Sequence, residues 1–80
     1  LRAEPRLSER IGDAAARYGP FASSHEALGV ASEEFDELRD AIRANDIEAI
    51  RSEALDLAAV LLRLWIELQP GSAMARRSGK

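Results

Sequence analysis

The sequence predicts an all-α domain: a helical hairpin over about residues 24–69, with a further helix before it. Three observations carry this. Apolar residues recur at spacings of three and four along most of the chain. The interruptions fall at helix punctuation, namely Gly19-Pro20, Asn45-Asp46 and Pro70-Gly71. Ser23 with Glu26, and Asn45 with Glu48, have the spacing of N-terminal capping pairs. Eighty residues make a single domain, 1–80, with a limited core. The chain has no cysteine, so no disulfide can supplement that core. A bound metal, self-association or both are expected to do so instead.

Residues 1–20 read as the first helix. Leu7, Ile11, Ala14, Ala15 and Tyr18 share one face, Pro5 suits the first turn, and Gly19-Pro20 is a stop. Arg6, Arg10 and Arg17 give this helix a basic character. They read either as a solvated face with some ion pairing, or as a source of an arginine that reaches a phosphate. The second helix starts after Ser23 and runs to about Ala44. Leu28, Ala31, Phe35, Leu38 and Ile42 form its apolar stripe. Ala27, Val30, Glu34, Glu37 and Ala41 form a second stripe with the same offsets, read as the rim of that face. Asn45 or Asp46 is the turn and the next N-cap. The third helix runs from about Asp46 to Gln69, with Ile47, Ile50, Ala54, Leu57, Leu61, Leu64 and Leu68 as its apolar stripe. Ala49, Glu53, Asp56, Val60 and Arg63 run beside it. Ala58, Leu62 and Trp65 widen the apolar face beyond what one partner helix covers, which asks for a second copy of the chain. Residues 70–80, with Arg76, Arg77 and Lys80, read as a frayed tail or as the start of a fourth helix.

Composition narrows the function. The net charge is −3, and no basic cluster precedes the last few residues, which argues against a nucleic-acid partner. The longest apolar run, Leu57 to Leu62, is far shorter than a membrane span. No secretory leader is visible, and a cytoplasmic protein is expected.

Four of the fourteen acids stand apart. Glu34 and Glu37, then Glu53 and Asp56, are pairs three residues apart, so each pair shares a helix face. Folded back at Asn45-Asp46, the pairs come level, with Glu37 and Glu53 each roughly 12 Å from the turn. Four carboxylates meeting there need a cation among them. An oxygen-only set suits Mg²⁺ or Mn²⁺, whereas zinc and di-iron sites call for cysteine or histidine ligands, and His25 stands alone. The competing explanation is a solvated rim whose acids pair with Arg39, Arg43 or Arg63.

Glu34-x-x-Glu37 followed by Glu53-x-x-Asp56, each in an amphipathic helix, resembles the MazG-like family of all-α nucleoside triphosphate pyrophosphohydrolases. The flanking Glu33-Glu34-Phe35-Asp36-Glu37-Leu38 and Arg51-Ser52-Glu53-Ala54-Leu55-Asp56-Leu57 also resemble the two motif helices, and the likeness spans roughly residues 24–68. The resemblance implies Mg²⁺-dependent hydrolysis of NTPs or dNTPs to the monophosphate and pyrophosphate. It implies Glu34, Glu37, Glu53 and Asp56 as metal ligands. Glu33 would hold or deprotonate the attacking water, or join the metal shell. It implies a homodimer or tetramer whose helices complete a four-helix-type bundle. Family members usually carry more chain beyond the second motif helix, where basic and amide groups help to bind substrate. Arg63, seven residues past Asp56, is the candidate phosphate contact, against a surface or intersubunit role. Arg76, Arg77 and Lys80 read as solvated, His25 as a capping or surface residue, and Trp65 as core or interface. The alternative to an enzyme is a non-catalytic helical interaction module that keeps the bundle.

Overall fold

A computed structural model describes residues 5–78, without the side chains of residues 14–18 and 78. Four helices make up this part of the chain: α1 (Pro5–Tyr18), α2 (Ser24–Arg43), α3 (Ile47–Glu67) and α4 (Ala73–Ser78). The described residues contain no strand. The expected helical turn over residues 1–4, the inward face of Ala14, Ala15 and Tyr18, the role of Arg17 and that of Lys80 lie outside the described residues. No described helix is long and apolar enough to cross a membrane.

Local chemistry sets the helix ends. Ser23 has extended backbone and its hydroxyl accepts from Glu26 N–H, which caps α2. The Glu26 carboxylate accepts from the N–H of Ala22, one residue before the cap. At the hairpin turn Asn45 and Asp46 divide the work. Asn45 sits in the left-handed region at φ 55, and its N–H donates to Ile42 O while Asp46 N–H donates to Ala41 O. That pair of bonds is a Schellman closure of α2. Asp46 then caps α3, its carboxylate accepting from Ala49 N–H at 3.1 Å. Gly71 at φ 83 turns the chain after α3, and Ser72 Oγ accepts from Ala75 N–H at the start of α4.

The hairpin of α2 and α3 is the spine; α1 packs on α3 and α4 on α2. The core is small and lies towards the end of the hairpin away from the turn. Phe21, Ala27, Val60 and Met74 are buried together, with Val30, Ala31 and Leu64 packed against them. Of the two readings of residues 70–80, the helix is the one present, and Met74 anchors it in the core.

One expectation is reversed. The stripe read as the rim of α2 is its inner face: Ala27 is fully buried, Ala41 is buried, and Val30 and Glu34 are partly covered. Of the larger apolar stripe, Ala31 packs against the core and Leu38 is half-buried, while Leu28, 63% exposed, and Phe35, 54% exposed, face out with Ile42. On α3, Val60 and Arg63 of the expected rim are buried, while Ile47 and Leu61 are exposed. Trp65, expected in core or interface, is 70% exposed and is not in this chain's core. The physical reason is coverage. Among the described residues α1 and the six-residue α4 lie against the hairpin, and they leave much of the larger apolar stripes open.

Candidate metal centre

The reversal of stripes places the acids between the helices. Glu34 and Glu37, one turn apart on α2, face Glu53 on α3. Each of the three offers a carboxylate oxygen within 4.8 Å of the others. Glu34 and Glu53 are half-buried and Glu37 is exposed, so the cluster is open on one side. Glu34 Oε2 and Glu53 Oε2 are both buried and accept no hydrogen bond. A buried acceptor without a donor is costly, and two of them side by side are doubly so.

The electrostatics follow from this packing. Burial pushes the Glu34 carboxyl up to about 7, helped by the negative charges of Glu37, Asp56 and Glu53. Glu53 is also raised, first by burial, then by the close approach of the Glu37 carboxyl and the charge of Asp56; Arg10 opposes the shift. Carboxylates this close stay together only by sharing protons or by binding a cation. The donor set is entirely oxygen, which suits a small hard divalent ion. The two orphaned oxygens, facing helices and open side fit such an ion.

Asp56, the fourth expected ligand, stands beside the cluster but is engaged elsewhere. Arg10 of α1 donates to Asp56 Oδ1 and, through its other terminal nitrogen, to Ser52 Oγ at 3.4 Å. The structure therefore brings three of the four acids together and holds the fourth in an ion pair at the edge. This partnership spans 46 residues of sequence, and the basic character of the first helix was its only sign.

Glu33 is exposed and lines a cleft of about 430 Å³ with Glu34, Glu26, Val30, Phe21, Gly19 and Arg63. Arg63 is 4% exposed, which corrects the reading of a surface arginine. It donates to Gly19 O at 2.6 Å and to Glu67 at 3.2 Å, and stacks 4.2 Å from the Phe21 ring centroid. Arg39 pairs with Asp36. Neither of these ion pairs involves a cluster acid. Arg76 and Arg77 are exposed, and donate to the backbone oxygens of Gly71 and Ala22. His25 is exposed at the start of α2.

Comparison with protein-family models, with curated proteins and with solved structures finds no match for this chain.

Proposed function

We propose that this chain is a Mg²⁺-dependent nucleoside triphosphate pyrophosphohydrolase of the MazG-like kind, with Mn²⁺ able to replace Mg²⁺. The observation that carries the reading is the meeting of Glu34, Glu37 and Glu53 with two buried, unpartnered carboxylate oxygens. In this reading the three glutamates would hold the ion, and Asp56 would join them on leaving its pair with Arg10. Bound Mg²⁺ would supply charge neutralisation for the phosphate chain and a lower pKa for coordinated water. Glu33, at the mouth of the adjoining cleft, takes the proton of the attacking water. The water oxygen bonds to the α-phosphorus, the bond to the bridging oxygen breaks, and pyrophosphate leaves with that electron pair. Arg63 lines the same cleft, yet its guanidinium is tied to Gly19 and Glu67. We therefore assign it to holding the cleft wall, because a phosphate contact would require that network to open. The acidic surface makes a free nucleotide with its metal a better substrate than a nucleic acid, and we place the activity in the cytoplasm.

We further propose that the functional unit is a homodimer or tetramer. Leu28, Phe35 and Ile42 on α2 and Ile47, Leu61 and Trp65 on α3 are all more exposed than core residues of their size. By distance from the turn, Leu28 lies level with Leu61, and Ile42 with Ile47. They make one apolar side of the hairpin. Covering a large side chain is worth about 1.5–3 kcal/mol. A second hairpin laid on this side completes a four-helix-type bundle.

A second reading, a non-catalytic interaction module, is favoured by one observation: Arg63, Arg76 and Arg77 all donate to this chain's own oxygens. One experiment separates the two. A panel of NTPs and dNTPs is incubated with the folded protein and Mg²⁺, with a chelator control. Chelator-sensitive release of pyrophosphate from at least one nucleotide supports the enzyme. Release from none leaves the module.

A further inference from the structure

We infer that Arg10 is an intramolecular counter-cation that competes with the metal ion for Asp56, so that metal entry loosens the docking of α1 on α3. The inference rests on the metal reading above and concerns how that same site is controlled.

The argument begins with the charge balance. Glu34, Glu37 and Glu53 already crowd three carboxyl groups between α2 and α3. Asp56 is one turn beyond Glu53 on α3, and its charge bears on both Glu34 and Glu53. A fourth anion at that spot is tolerated because a guanidinium sits on it. Arg10 makes a two-point attachment, to Asp56 and to Ser52, both on α3. Its charge also reaches Glu53. In effect one fixed positive charge stands at the edge of the cluster.

That charge opposes a divalent ion in two ways. It withholds the Asp56 carboxylate as a ligand, and it repels the incoming ion across a short distance. The pair is built to exchange rather than to persist. Both side chains are about one-third exposed, so the contact is weak enough to open. The arginine is delivered by α1, which packs on α3, whereas the three glutamates stand on α2 and α3. Loss of the Arg10 attachment therefore removes one tie between α1 and α3, while the glutamates are carried by α2 and α3. By linkage, whatever Arg10 withholds from the metal, the metal withholds from the docking of α1.

The test uses Mn²⁺ alone, without nucleotide. Calorimetric titration compares the wild-type chain with Arg10→Met and Arg10→Lys. Arg10→Met is expected to bind Mn²⁺ at least about fivefold more tightly. Arg10→Lys, which keeps the charge and loses the two-point fork, is expected to fall between. Hydrogen exchange supplies a readout that a merely structural role would not move: α1 amides of the wild type exchange faster once Mn²⁺ is added. Arg10→Gln repeats the titration if Arg10→Met loses helicity. Equal or weaker Mn²⁺ binding by Arg10→Met and Arg10→Gln overturns the inference and leaves the metal site standing, with Arg10 as a residue that positions Asp56. No Mn²⁺ binding by any of the proteins overturns the metal reading, and this inference with it.

Discussion

Glu34 and Glu53 face each other across the contact of α2 with α3, and each buries an Oε2 oxygen that receives no hydrogen bond. Nothing in helix packing requires this. An alanine at either position would match Ala27, Ala41 and Ala59, the small residues buried along this hairpin. The pair therefore costs stability unless a proton or a cation compensates it.

The proton is the compensation in the metal-free protein, and its titration has a definite sign. Glu34 ionises near 4.5 in the unfolded chain and at about 7 in the folded one. A raised folded value means that the stabilising contribution is complete below about 4.5 and is lost as pH rises through about 7. Melting of the metal-free protein in a chelator should fall by several degrees between pH 5 and pH 8. Added Mg²⁺ or Mn²⁺ should restore it at pH 8 and have little effect at pH 5. A melting temperature that is flat across this range, or that rises, would show that Glu34 carries no such strain.

Glu53→Gln should separate stability from function. Removing the charge relieves the cluster, so the metal-free variant is expected to melt at or above the wild-type temperature at pH 8. The same variant should lose Mn²⁺ binding and pyrophosphate release, with its helical circular dichroism intact. Glu37→Gln is expected to lose turnover in the same way. Retained turnover in either would remove that residue from the site.

Arg63 should behave as a structural residue. Its guanidinium joins the α1–α2 connection at Gly19 to Glu67 near the end of α3, and Glu67 also accepts from Phe21 N–H at 2.8 Å. Arg63→Met leaves Glu67 half-buried without its cation and Gly19 O without its donor. A loss of about 2–4 kcal/mol is expected in denaturant unfolding. A loss below about 0.5 kcal/mol would place Arg63 outside the fold's support and return it to consideration as a substrate contact.

Phe35→Asp tests the open apolar side. Light scattering of the wild type should give a dimer or tetramer, and the variant should give a monomer with its helices retained. A wild-type monomer at micromolar concentration would contradict the proposed bundle.

The helices were legible in the sequence because their ends are local. Ser23, Asn45 and Asp46 act on backbone groups within five residues of themselves. The face that each helix buries was not legible. Leu28 and Ala27 are neighbours on adjacent stripes, and a 3.6-residue period does not say which of them meets α3. Size suggested Leu28, and packing took Ala27. The three converging glutamates were legible from spacing and the position of one turn. Arg10 on Asp56 was not, because spacing within a helix carries no record of a contact made by a different helix. The same limit hid Met74, the one large apolar residue in a basic segment, which the core recruits.

The central claim is that Glu34, Glu37 and Glu53 form a cation site. Crystals of the protein grown with Mn²⁺, measured at the manganese absorption edge, test it most directly. The account predicts one anomalous peak bonded to oxygens of all three glutamates. An empty cluster, with Mn²⁺ present at millimolar concentration and the three carboxyl groups still together, would contradict it.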